Sequence, residues 1–281
     1  MSACKVAIPN ARIYLSKSTC IYENLAFEEW LFRNHNLNQD GEALLIWSNE
    51  PSVVIGRHQN PWLEVDTNYL HEKGINLVRR HSGGGTVYHD LGNINISFLT
   101  TQKRHCRPRN LANVSSWING HFNTRRDDLL LQPGDRKISG TAARIAHGKA
   151  YHHLTLLVKP DLPILRRVLQ SPFVGKIETN ATRSVRAKAV GQLIDVVPGL
   201  EINNIVDVLV DGFQQLADHT DVIQLDSKGI SDETKWNGVK KKRIELQSPE
   251  WDFCQVSEVQ NSATKFYGSV RRCCCRKWPC Y

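Results

Sequence analysis

The sequence predicts an α+β fold, and three observations carry that prediction. Short β-branched and aromatic runs punctuated by turn residues recur through the first 160 positions. Helical stripes stand apart from these runs instead of alternating with each of them. The 281 residues are 41% hydrophobic and 23% charged, enough for one large core or two smaller ones. No apolar run approaches the ~20 residues that cross a bilayer, so no membrane role is expected.

The elements follow in order. ENLAFEEWLFR (23–33) places Leu25, Phe27, Trp30 and Leu31 at helical spacing with Glu28, Glu29 and Arg33 opposite, an amphipathic helix. Leu44–Trp47 and Ser52–Ile55 read as strands joined by the turn Asn49-Glu50-Pro51, and Ile75–Val78 as a third. After a glycine-rich bend, Thr86–Tyr88 and Ile94–Leu99 resume strand character. Ile94, Ile96 and Phe98 alternate with Asn95 and Ser97, which predicts one buried face. A short helix is expected around Val114–Ile118, followed by a basic turn. Leu129–Leu131 and Leu154–Val158 read as strands flanking a turn at Lys137. Ile202, Ile205, Val206, Leu209, Phe213 and Leu216 form one helical stripe within 201–217. From residue 254 the periodicity stops, and no internal repeat is present.

Charge and cysteine usage exclude several classes. Of the net +8, residues 254–281 supply +4, from five basic residues against one acidic, and the other 253 residues supply +4. A mildly basic body with a short cationic tail favours weak, salt-sensitive contact with polyanions and reads no bases, so no nucleic-acid partner is expected. Four of the eight cysteines (Cys273, Cys274, Cys275, Cys280) crowd the last nine residues, and Cys4, Cys20, Cys106 and Cys254 are isolated. That is neither a disulfide framework nor paired zinc knuckles, and reduced thiols inside a cell are the reading. Residues 1–22 carry Lys5, Arg12 and Lys17 without an acidic residue, which suits a transit-peptide remnant or a short lead-in equally.

Three motifs carry chemistry. RRHSGGGTVYHDLGN (79–93) sets three glycines between two strands, where successive N–H groups can turn inward as a concave donor site for phosphate oxygens. Arg79 and Arg80 can supply bidentate charge to the same anion. Three glycines alone would equally make a flexible hairpin. No Gly-Lys-Ser/Thr follows, so this is not a Walker loop. GDRKISGTAAR (134–144) puts Lys137 in a turn from which an ammonium can reach a bound anion, although a lone turn lysine is usually solvated surface. AYHHLTLL (150–157) sends adjacent histidines to opposite faces of a strand, so they do not chelate one metal, and no metal site is expected. One histidine is read as packing or hydrogen-bonding, and Thr155 as facing the site.

IGRHQNPW (55–62), RRHSGGGTVYHDLGN, RKISGTA (136–142), AYHHLTLL and SPFVGKIETNATRSV (171–185) occur in one order. Together, from about Arg12 to Phe253, they resemble the lipoate-protein ligase A family, most closely its animal mitochondrial lipoyltransferase branch. The resemblance implies a biotin/lipoate protein ligase-like large domain, a mixed or antiparallel sheet with flanking helices, over 12–253. Residues 1–11 would be a lead-in and 254–281 a disordered, basic, cysteine-rich tail. It implies an acyltransferase that uses lipoyl-AMP, the mixed anhydride of lipoate and AMP. Arg80 and Gly85-Thr86-Val87-Tyr88 would hold the phosphate and nucleoside, with Arg126 and Thr155 lining the pocket. Val185 and Ala187 would close over the adenine, and Lys137 would be the essential lysine between phosphate and acyl carbonyl. A fixed ammonium there stabilises charge on the carbonyl oxygen and on departing AMP, typically ~2.7–4 kcal/mol for one preorganised donor.

The implied partners are lipoyl domains of 2-oxoacid dehydrogenase E2 subunits and the glycine cleavage H protein; a monomer and a mitochondrial location are expected. The sequence departs from the pattern at Asp127-Asp128-Leu129, where many members have Asn-Asp-Leu. The added carboxylate would repel phosphate unless Arg125, Arg126 or a metal offsets it. Residues 110–125 are shorter than the family's counterpart. The pattern also breaks after Glu250-Trp251-Asp252-Phe253, so the family's small C-terminal domain is expected to be missing. That favours transfer from a preformed donor, lipoyl-AMP or lipoylated H protein, over complete ATP-dependent ligation, with magnesium needed only for adenylation. The competing readings are an octanoyltransferase, which needs a cysteine near Lys137, a biotin ligase, whose Gly-Arg-Gly-Arg-x-Gly run is absent, and a non-catalytic adenylate or lipoyl-domain binder.

Overall fold

In the computed structural model, which describes residues 8–118, 122–125, 127–253 and 260–261, the chain opens with strand Ile8–Ser16 (β1) and helix Ile21–Asn34 (α1). Strands Glu42–Trp47 (β2) and Ser52–Ile55 (β3) follow, then helices Pro61–Glu64 (α2) and Thr67–Glu72 (α3). Asn76–Arg79 (β4) and Val87–His89 (β5) flank the glycine bend, and Asn93–Thr101 (β6) runs on to helix Arg107–Trp117 (α4). Strands Phe122–Arg125 (β7), Asp128–Leu131 (β8) and Arg136–Lys137 (β9) precede the long hairpin of Ser139–Ala146 (β10) and Lys149–Leu157 (β11). Helix Leu162–Val168 (α5), strand Ile177–Glu178 (β12), helix Ile202–Gln214 (α6) and strand Ala217–Leu225 (β13) come next. Helices Ser227–Ile230 (α7), Val239–Leu246 (α8) and Pro249–Phe253 (α9) follow, and Gln260–Asn261 (β14) pairs antiparallel with β12.

A six-stranded sheet in the order β10-β11-β6-β2-β1-β13 forms the centre. It is antiparallel from β10 to β2 and parallel from β2 through β1 to β13. Period-2 alternation splits its side chains between two layers. Leu44, Ile46, Ile94 and Ile96 pack with Val114, Leu209 and Phe213 from α4 and α6. Ala43, Leu45, Trp47 and Leu99 pack on the other side with Leu25, Phe27, Leu31 and Leu246 from α1 and α8. A small sheet, β4-β3-β5, carries the glycine bend, and an antiparallel one, β7-β8-β9, carries Lys137. Local chemistry starts the short helices: the carboxamide of Asn60 and the carboxylates of Asp66 and Asp161 accept first-turn N–H groups, with proline in the first turn of α2 and α5.

The α+β expectation is met, with four corrections. α1 buries its polar face as well: Glu28 and Glu29 lie inside, because the sheet covers one side of the helix and α8 the other. Glu29 is compensated by Arg33 and Arg144, as a carboxylate taken out of water requires. β6 has two buried faces, since Asn95 and Ser97 point into the α1 layer. β2 and β3 follow one turn but enter different sheets. The helix expected around Val114–Ile118 begins earlier, at Arg107, and the basic stretch after it is strand β7. Apart from 260–261, the tail assigned to 254–281 lies outside the described residues, as do positions 1–7 of the lead-in. No described helix is long and apolar enough to cross a membrane.

Candidate active site

The glycine bend is braced from within by the two arginines that precede it. Arg79 is wholly buried and donates to the carbonyls of Gly56 (3.1 Å), Arg57 (2.9 Å), Gln59 (2.8 Å), Trp251 (3.0 Å) and Asp252. It therefore faces away from any anion on the bend, which corrects the expectation of a paired arginine clamp. Arg80 donates to Ser82 Oγ (2.9 Å) and to the carbonyls of Val54 (3.2 Å), Gly85 (2.8 Å) and Gly83. Its charge holds the loop in shape while its edge lines the cavity beyond. Burial lowers both guanidinium pKa values to about 10, which leaves them charged at neutral pH. Glycine is required here twice. Gly84 has φ +88°, and a Cβ on Gly56 would sit 2.2 Å from the Gly84 carbonyl oxygen.

Lys137 reaches the same space from the other side. It occupies strand β9, with its N–H donating to Ala189 O (3.0 Å) and its carbonyl accepting from Gly191 N (3.0 Å). Its ammonium pairs with Asp128 Oδ2 at 2.8 Å. Burial pushes the Asp128 carboxyl up and Lys137 pulls it back. The neighbouring Asp127 is turned by φ 62° so that its carboxylate meets Arg107 (3.4 Å) and its carbonyl accepts the Thr141 hydroxyl (3.0 Å). Among the described residues the offset to the added carboxylate thus comes from α4.

Two adjoining cavities, about 320 and 340 Å³, meet at Lys137 and share Thr86, Val87, Gly140, Thr155 and Val185. The inner end of the first is walled by Leu25, Trp47, Val54 and Leu154. The second is bordered by Tyr88, Leu157, Leu169 and Val190. His89 and Asn95 close the inner end, where Trp47 Nε1 and His89 Nε2 are buried with no hydrogen-bond partner among the described residues. Asn49 donates to His89 Nδ1 (2.9 Å), so the free Nε2 carries the proton, and burial drives this imidazole's pKa down to about 3. His153 meets buried Glu28 through Nδ1 (3.0 Å) and Ser82 Oγ through Nε2 (3.1 Å). Its neighbour His152 points into the opposite layer, against Asn110 (3.2 Å), as the strand period demands.

The structure brings most of the sequence-nominated residues together. Arg80, Gly85, Thr86, Val87, Lys137, Thr155 and Val185 line the first cavity. Tyr88 and Ala187 line the second. Arg126 lies outside the described residues. Thr155 Oγ1 accepts from Gly140 N (2.8 Å), and Val185, 93% exposed, stands at the mouth. Sequence reasoning did not single out Trp47 or Ser184, nor Glu64 behind them, and noted His89 only within the Tyr88-His89-Asp90 sequel to the bend, with no role of its own. An indole at a strand end and a histidine after Tyr88 look like ordinary packing until the cavity is seen. Cys20 and Cys106 carry free thiols and line neither cavity, which leaves the octanoyltransferase reading without its cysteine among the described residues.

Residues 20–214 match the family described as the lipoyl protein ligase A/B catalytic domain. The human protein named lipoyl amidotransferase LIPT1, mitochondrial, is 42% identical over 257 residues, covering 88% of this chain and 66% of the human one. The chain spans just under two thirds of the length of that relative and of its mouse counterpart. A solved structure described as a bi-partite lipoate protein ligase and its E2 lipoyl domain from Thermoplasma acidophilum is 25% identical. It superposes with TM-score 0.68 over 87% of this chain and 96% of that one. A lipoate-protein ligase A bound with ATP, also 25% identical, gives TM-score 0.66 over 87% and 98%. This chain belongs to the lipoyl protein ligase A/B catalytic-domain family.

Proposed function

We propose that this chain is a lipoyl transferase. It takes the lipoyl group from lipoyl-AMP or lipoylated H protein and forms an amide with a specific lysine on lipoyl domains of 2-oxoacid dehydrogenase E2 subunits or on the glycine cleavage H protein. The observation that carries this reading is Lys137, whose side chain borders both cavities at their junction, opposite the glycine bend. The inner apolar chamber suits the lipoyl chain, and the second suits the nucleoside under Val185 and Ala187. The mixed anhydride linking them then lies beside the ammonium.

The chemistry follows from that placement. From lipoyl-AMP, the acceptor amine attacks the acyl carbonyl, the carbon–nitrogen bond forms, AMP leaves with the bridging oxygen, and the amine releases its proton. From lipoylated H protein, the same attack breaks the carbon–nitrogen bond to the donor lysine, whose amine leaves carrying a proton. Negative charge grows first on the carbonyl oxygen and then on AMP, and one fixed cation stabilises both. With lipoyl-AMP no enzyme nucleophile is needed, because that donor is already an activated acyl group, and holding it near the amine supplies much of the remaining rate. The amide of lipoylated H protein has no such activation and depends on stabilisation of its carbonyl oxygen and protonation of the departing amine. Magnesium enters only if the chain also adenylates free lipoate. The mitochondrial name of the human relative supports action in that compartment.

Purified protein mixed with lipoyl-AMP and apo H protein tests this reading. We expect a lipoyl mass increment on the acceptor that disappears in Lys137→Ala. Tight lipoyl-AMP binding without acceptor modification would instead identify a non-catalytic binder. An increment from free lipoate and ATP would identify a complete ligase.

A further inference from the structure

IGRHQNPW and the two residues after it carry no role in the chemistry above, yet their side chains reach the cavity mouth. Glu64, at the end of α2, is 1% exposed. Its Oε1 accepts from Arg183 Nε (2.8 Å) and from the backbone N–H of Ser184 (3.2 Å). Its Oε2 accepts from Arg186 Nη2 (3.1 Å), which also reaches the Glu64 carbonyl (2.9 Å). Arg183 donates further to the Leu63 carbonyl (3.1 Å). Gln59, wholly buried, works beside it. Its Oε1 accepts from Gly56 N (2.8 Å) and the Thr86 hydroxyl (2.9 Å), and its Nε2 donates to Ser184 Oγ (2.9 Å). Ser184 Oγ also accepts the N–H of Thr86 at 2.8 Å, directly on the glycine bend.

Apart from the Thr86 hydroxyl on the glycine bend, which reaches Oε2 at 3.5 Å, every contact of the Glu64 carboxylate therefore goes to one stretch, 183–186, which borders both cavities. A carboxylate withdrawn from water is retained only where cations and N–H donors replace its hydration. Here these donors come from the mouth segment and not from the hydrophobic core. The charges of Arg183 and Arg186 are thereby engaged by a protein carboxylate. We infer that Glu64 is a positioning residue: it ties segment 182–187 to the glycine bend and so sets how tightly the nucleotide end of the donor is held, without taking part in acyl transfer. The inference rests on the proposed function for its ligand, while the anchoring itself is a property of the apo protein.

Single-turnover transfer from lipoyl-AMP, at saturating acceptor, is compared in wild type, Glu64→Gln and Glu64→Ala. Losing hydrogen bonds to a charged group should raise the half-saturating lipoyl-AMP concentration of Glu64→Ala about tenfold. Uniform binding is what is lost, so the saturating rate should stay within about threefold of wild type. Glu64→Gln, which keeps acceptors but no charge, should fall between. In parallel, trypsin without ligand should cut after Arg183 and Arg186 faster in Glu64→Ala than in wild type. If Glu64→Ala does not fold, Glu64→Gln carries both measurements, and Arg183→Gln carries the kinetics and the cleavage after Arg186. A fall in saturating rate at unchanged half-saturation, or wild-type cleavage rates at both arginines, overturns the inference. If wild type neither binds lipoyl-AMP nor transfers, yet the cleavage difference is present, the proposed function fails and the anchor stands.

Discussion

Lys137 and Asp128 form a pair in which each residue alters what the other can do. At 2.8 Å the carboxylate orients the ammonium, but it also adds negative charge where an anionic donor would sit. Truncating it therefore splits binding from chemistry. Asp128→Ala is expected to bind lipoyl-AMP at least as tightly as wild type and to transfer about tenfold more slowly at saturation, because the cation loses its aim. Equilibrium binding with single-turnover kinetics checks this, and weaker binding at an unchanged rate would contradict it. Arg80 teaches a related lesson. Read in sequence as an anion ligand, it also braces the bend that would receive the anion: Nη2 holds the carbonyls of Gly83 and Gly85, Nε the Ser82 hydroxyl and Nη1 the Val54 carbonyl of β3.

At the scale of elements, the bend works because two backbones approach closely. The Gly56 turn after β3 and the Gly84 bend after β4 come so near that a methyl on Gly56 would meet a carbonyl oxygen that cannot step aside. Gly56→Ala is expected to cost about 1–3 kcal/mol, as other overpacked sites do. It should also weaken lipoyl-AMP binding, because the displaced partner is the bend itself. A melting curve and a binding isotherm on the same variant test both halves. Helix α9 braces the bend from behind: Trp251 Nε1 donates to the Arg79 carbonyl (2.6 Å), and Asp252 Oδ1 accepts from Arg79 N (2.8 Å).

Across the whole molecule, buried titratable groups pull stability in opposite directions with pH. Burial holds His89 and His152 near pKa 3 and His81 near 4, so on acidification below about 6.5 the unfolded chain takes up protons that the native state refuses. Their contribution is full above that pH and is lost as pH falls through the folded values. Asp252 acts oppositely. Burial raises its carboxyl to about 7, so its contribution is full at acid pH and is lost as pH rises from about 4 to 7. Glu29, Asp90 and Asp128 are shifted the same way by burial. Three strongly displaced histidines outweigh one strongly displaced carboxyl, so stability should fall between pH 7 and 5. Asp252→Asn should steepen that fall and raise stability at pH 8. Denaturation midpoints across pH for both proteins decide it, and a parallel pair of curves would refute the assignment.

Much of this architecture was legible from residue order alone, because periodicity is a local property. The strands at 44–47, 52–55 and 94–99 follow from side-chain alternation, the stripe at 202–216 from helical spacing and the glycine bend from turn chemistry, whereas Lys137, read as a turn residue, lies in strand β9 because it pairs with β8. What local pattern could not decide is which polar residues lie inside. Glu28, Glu29 and Arg79 look solvent-facing in sequence, and they are buried because chain segments 115 to 173 residues away supply their partners. The same holds for Glu64, whose partners stand about 120 positions downstream. Burying a charge requires a distant partner, and only the folded chain determines which segments meet.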